Sequence, residues 1–81
     1  MKITLKLFAS YREAYNRDHL ELEVAEGTTC AQVQAKLAEE KPELTRWQKV
    51  VRYGLNQQFV GAETTLHAGD ELVLIPPVSG G

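Results

Sequence analysis

EGTTCAQVQAKLAEEKPEL, residues 26–44, changes the rhythm of the chain. Before it, apolar residues recur at every second position. Within it, Cys30, Val33 and Leu37 recur at three- and four-residue steps, which return to one face of a helix. Thr29 and Gln32 have capping-box spacing, in which a hydroxyl and an amide each satisfy a backbone N–H left free at the helix start. Pro42 disfavours helical geometry at Lys41, so the helix is predicted to stop about there.

Outward from this helix the period is mostly two. In KITLKLF (2–8), Ile3, Leu5 and Leu7 share one face and Lys2, Thr4 and Lys6 the other, which predicts a half-buried strand with Phe8 on its polar side. SYREAYNRD (10–18) fits a short helix or an irregular turn. HLELEVA (19–25) alternates again, with Leu20, Leu22 and Val24 inward. Beyond the helix, Leu44, Trp47 and Val51 are spaced like a further helical turn, with Trp47 read as a core plug. VRYGLN (51–56) and QFVG (58–61) read as short strands around a turn, HAGDE (67–71) as a turn, and ELVLI (71–75) as a buried strand. Such an order predicts an α+β roll, a mixed sheet packed on one main helix. The first and last strands carry strong apolar patterns and are placed adjacent and central. Residues 1–75 are expected to form one domain and 76–81 an extended, flexible tail.

With 81 residues, the chain is near the lower size that buries a self-sufficient core. A net charge of −2 gives the whole molecule no electrostatic case for nucleic acid. All nine Lys and Arg lie at or before Arg52; after it the charged side chains are Glu63, Asp70 and Glu71. Cys30, the single cysteine, excludes an internal disulfide and a cysteine-only metal site, and its place on the apolar stripe favours burial over an activated thiol. His19 and His67 lack metal-site spacing, so no metal is expected. MKITLKLFAS is too polar for a signal peptide, and no apolar run approaches the roughly 18–20 residues of a membrane span. The expectation is a soluble, cytoplasmic protein without a membrane partner.

PPVSGG (76–81) carries no charged side chain and can enter an apolar pocket without that desolvation cost. Pro76 and Pro77 favour an extended backbone, and Gly80 and Gly81 lack the Cβ that would obstruct a narrow channel. Six residues reach at most about 20 Å. Phe8, Phe59 and Ile75 are candidates for an apolar platform near this tail. Phe8 and Phe59 fit equally a role in closing the edge of the core, and Ile75 fits the core itself. No nucleophile–base pair is apparent, so the chain alone is expected to be inactive.

The strand and helix order, ending in Gly-Gly, resembles the β-grasp fold of ubiquitin-like proteins. GDELVLIPPVSGG (69–81), FASYRE (8–13) and LNQQFV (55–60) resemble the small subunit of molybdopterin synthase in particular. SYREAYNRDH (10–19) departs from it where many members have a turn glycine. The resemblance implies that an ATP-dependent adenylating enzyme activates the Gly81 carboxylate, and that a sulfur source converts it to a thiocarboxylate. Sulfur then passes to cyclic pyranopterin monophosphate to build the molybdopterin dithiolene. It implies a large-subunit partner in a heterotetramer of two small and two large subunits, and no bound cofactor, since ATP is used by the partner. Gly80 then serves tail fit, while Phe8, Arg12, Phe59, Ile75, Pro76, Pro77, Val78 and Ser79 serve docking. The alternatives are a carrier for thiamine biosynthesis or tRNA thiolation, a ubiquitin-like protein modifier, and a passive interaction domain. Pro-Pro-Val argues against the thiamine carrier.

Overall fold

A computed structural model describes residues 1–77. Eight elements follow in order: β1 (Lys2–Leu7), α1 (Ala9–Tyr15), β2 (His19–Glu23), α2 (Cys30–Glu40), a 3₁₀ helix (Pro42–Trp47), β3 (Arg52–Leu55), β4 (Gln58–Val60) and β5 (Glu71–Ile75). The five strands form one mixed sheet in the order β2-β1-β5-β3-β4. β1 and β5 are neighbours and parallel, while the other pairs are antiparallel. Both lie inside the sheet, as their apolar patterns predict.

Alternation assigns the faces. Ile3, Leu5 and Leu7 of β1, and Leu72 and Leu74 of β5, are at most 1% exposed. They pack with Val33 and Leu37 of α2, Tyr11 of α1 and Leu44 of the 3₁₀ helix. The capping box forms as predicted: the Gln32 N–H donates to Thr29 Oγ1 at 3.3 Å, and the Thr29 N–H to Gln32 Oε1 at 2.9 Å. α2 ends before Pro42, and Lys41 is its C-cap.

The segment from 10 to 18, left open between helix and turn, begins in a helix. Its boundaries have unusual backbones: Ala9 has φ 51° and Asn16, the C-cap, φ 53°. Asparagine tolerates that left-handed geometry better than alanine, so Ala9 is the strained residue. The further helical turn predicted through Leu44, Trp47 and Val51 is a 3₁₀ helix that ends at Trp47, so Val51 lies beyond it. Trp47 is half-buried against the core, with the Arg46 guanidinium 5.2 Å from its ring centroid.

Candidate functional site

β5 ends at Ile75, which pairs with Arg52 of β3. The residues that follow have no N–H to donate, so the ladder cannot continue through Pro76 and Pro77. Pro76 is buried and Pro77 exposed. Because β1 and β5 are parallel, with Leu7 beside Leu74, Phe8 follows β1 at the end of the sheet where Pro76 follows β5.

Among the described residues, the sheet face away from α2 is open. ELVLI, read as a buried strand, is buried on one face only: Leu72 and Leu74 face the core, while Glu71, Val73 and Ile75 are partly exposed. Helices cover one side of the sheet, which corrects the assignment of Ile75 to the core. Cross-strand registers align Lys6, Val73, Gly54 and Phe59 in one row over this open face. A groove of about 200 Å³ runs along it, lined by Gly54, Gln58, Phe59, Glu71, Val73 and Ile75. A Cβ at Gly54 would meet the Val73 Cβ at 3.7 Å, an ordinary contact. Alanine therefore fits, but a longer side chain would begin to fill the groove.

Phe59 is 72% exposed and Phe8 50%, so neither closes the core. Phe8 lines a neighbouring cleft with Thr4, Lys6, Arg12, Asp18 and His19. The two depressions meet at Lys6 and Glu71, whose Nζ and Oε2 lie 3.8 Å apart. The structure thus brings Phe8 and Arg12 together in one cleft and Phe59 and Ile75 in the other. Val78, Ser79, Gly80 and Gly81 lie outside the described residues.

Val73 and Gly54 were missed by sequence reasoning. The period of two in ELVLI puts Val73 with Ile75, and a glycine inside a strand marks open space or close approach. Asn56 and Asp70 were missed as a pair. Asn56 Nδ2 donates to Asp70 Oδ1 at 2.9 Å, the Glu71 N–H to Asn56 Oδ1 at 2.9 Å, and the His67 N–H to Asp70 Oδ2 at 2.7 Å. These bonds tie the β3–β4 turn to the turn that launches β5. The donated Asn56 hydrogen bond is the main reason the Asp70 carboxyl lies below its ordinary range. Asn56 and Gln57 both have positive φ, the backbone of a two-residue type I′ hairpin turn. Gly69 supplies positive φ (84°) in the second turn.

Cys30 is buried at the first turn of α2, and burial pushes its thiol pKa up. A helix N-terminus would lower it; desolvation wins here. His19 Nδ1 lies 3.1 Å from Asp18 Oδ1 on the surface. No helix among the described residues is long and apolar enough to cross a membrane.

A five-stranded mixed sheet crossed by one main helix, with its C-terminal strand running out from the centre, defines the ubiquitin-like β-grasp class. Within that class the chain belongs to the ThiS family, whose model matches residues 5–81. It is 31% identical over 83 residues to the molybdopterin synthase sulfur carrier subunit of Chlamydomonas reinhardtii, covering 100% of both chains. It is 32% identical over 82 residues to the protein of the same name from Mycobacterium tuberculosis, covering 100% of this chain and 99% of that one. Among solved structures, the HVO 2177 protein of Haloferax volcanii superposes with a TM-score of 0.87 at 28% identity, over 100% of this chain and 87% of that one. SAMP1 of the same organism, a small archaeal modifier protein, does so with a TM-score of 0.81 at 27% identity, over 100% of both.

Proposed function

We propose that the chain is the sulfur-carrier subunit of a molybdopterin synthase. The observation that carries this reading is the whole-length likeness to curated sulfur carrier subunits. The geometry supports it: a central strand delivers the chain to a Pro-Pro exit beside an open apolar face.

In this reading a Gly81 carboxylate oxygen attacks the α-phosphorus of ATP in a separate adenylating enzyme, and pyrophosphate leaves. A sulfur nucleophile then attacks the acyl carbon, and AMP departs with the C–O electron pair. The product is a thiocarboxylate, a soft nucleophile at the tip of a thin arm. A large subunit receives the tail, and sulfur passes to cyclic pyranopterin monophosphate; two transfers complete the dithiolene. The work of this chain is presentation. The Asn56–Asp70 bonds brace the start of β5, Pro76 and Pro77 limit the disorder lost on docking, and Phe8, Phe59, Val73 and Ile75 offer apolar contact. Gly80 and Gly81 suit passage through a narrow channel.

The test is reconstitution with adenylating enzyme, ATP, a sulfur source, large subunit and precursor. Dithiolene product is expected only with all of them. Product formation without the large subunit, or none in the complete system, overturns the proposal. The likeness to a small archaeal modifier favours a second reading, isopeptide attachment to lysines of other proteins. Isopeptide-linked conjugates in place of thiocarboxylate transfer would select it.

A further inference from the structure

Leu44 to Ala62 contains no Asp or Glu, yet holds Arg46, Lys49 and Arg52, in a chain of net charge −2. Arg46 lies over Trp47. Lys49 and Arg52 are exposed, and among the described residues neither is in ion-pair reach of a carboxylate. Both line a cleft of about 380 Å³, together with Val51, Phe59, Val60 and Ala62. Glu63 is the next acid in the chain, one residue beyond Ala62, and does not line the cleft.

The place of this cleft in the sheet is informative. Arg52 is paired with Ile75 on β5, and Tyr53 with Val60 on β4. The cleft therefore occupies the corner of the sheet from which Pro76 departs. Its apolar wall, through Phe59, is shared with the groove over Gly54. β4 is an edge strand of three residues, so this wall is open to an incoming chain.

We infer that the Lys49–Arg52–Phe59 corner docks an acidic protein segment, one that sets a pair of carboxylates beside an apolar side chain. The carboxylates face Lys49 and Arg52, and the apolar residue covers Phe59 and Val60. Charge complementarity selects such a partner, because Lys49 and Arg52 line this cleft with no carboxylate among its lining residues, whereas the cleft that holds Lys6 and Arg12 also holds Asp18. Two free cations around an apolar wall suit a short acidic peptide better than a phosphate backbone, which is favoured by many spaced cations. The inference holds whatever the tail carries, so it stands or falls separately from the carrier reading.

The test is a ¹⁵N titration of the intact chain with three probes: a capped Asp-Asp-Leu-Phe peptide, its Asn-Asn-Leu-Phe counterpart and an oligothymidylate. The acidic peptide is expected to shift the amides of Lys49, Arg52, Phe59 and Val60 and to bind more tightly than the neutral one. Lys49→Glu and Arg52→Glu should each weaken it by about fivefold, the loss of one exposed charge pair, while Arg52→Lys retains binding. Lys36→Glu, on exposed α2 surface, should leave it unchanged, and dispersed spectra confirm that each variant folds. Equal binding of the two peptides, shifts located elsewhere, no binding, or tighter binding of the oligonucleotide at these residues overturns the inference.

Discussion

Asn56 and Asp70 hydrogen-bond directly, Nδ2 to Oδ1 at 2.9 Å, although 14 residues separate them in the chain. Asn56 also accepts from the Glu71 N–H with its side chain and donates its own N–H to the Glu71 carbonyl at 2.9 Å. One side chain therefore joins two turns and sets the register from which β5 runs to the tail. Asn56→Ala should cost about 2–3 kcal/mol, from one or two partly exposed hydrogen bonds and from the left-handed backbone that alanine tolerates less well than asparagine. Urea unfolding measures it, with Asn56→Gly, which accepts the backbone and removes the same bonds, as the comparison; an unchanged midpoint in Asn56→Gly would show that the side-chain network adds nothing.

The same bond makes stability depend on pH. Asp70 is held below its ordinary value, chiefly by the Asn56 donor and further by the His67 N–H. The unfolded chain thus binds this proton more tightly than the folded one. The contribution is present above the unfolded value, about 3.9, and is lost as pH falls through the lower folded value. Thermal midpoints of the wild type should fall more steeply below about pH 4 than those of Asp70→Asn. Parallel curves for the two proteins would contradict the assignment.

Among the described residues, Gln34 is the one buried polar side chain. Its Nε2 donates to Tyr11 Oη at 3.0 Å and to the Leu44 carbonyl at 3.2 Å, clamping α1, α2 and the 3₁₀ helix together. Gln34→Ala removes both donors and opens a cavity, at an expected cost of about 2–4 kcal/mol. Gln34→Leu keeps most of the volume and should cost less. Equal losses in denaturant melts would assign the whole effect to hydrogen bonding.

Much of this architecture was legible in the sequence because it follows from local periodicity. Ile3, Leu5 and Leu7 declared a core face, and Thr29 with Gln32 declared a helix start. Cys30, Val33 and Leu37 marked the buried stripe, but Gln34 shares that face and was hidden by its polarity. α1 is not declared by the sequence, because it starts at a strained Ala9 and has no side-chain cap. The open face of β5 escaped because Val73 and Ile75 are as apolar as Leu72 and Leu74, and only the one-sided helix layer separates them. The Asn56–Asp70 bond depends on which strands meet, which a single sequence does not state.

Phe8 and Phe59 are exposed, so their removal should leave stability within about 0.5 kcal/mol. Phe8→Ala and Phe59→Ala should instead raise the partner concentration needed for half-maximal turnover, by about tenfold or more if either anchors the contact. Gly80→Ala and Gly81→Ala should lower the rate at saturating partner. Titration of product formation against large-subunit concentration separates the two effects. If Phe variants lose only rate and Gly variants only affinity, platform and arm are wrongly assigned.

The central claim is that the C-terminal glycine carries sulfur and delivers it to a pterin. The most direct measurement is the intact mass of the thiocarboxylated chain before and after a single turnover with large subunit and cyclic pyranopterin monophosphate. The account predicts the mass change of one sulfur replaced by one oxygen, seen only when both are present and matched by sulfur gained in the pterin. A thiocarboxylate that persists in the complete mixture, or one that is lost to isopeptide-linked conjugates, would contradict it.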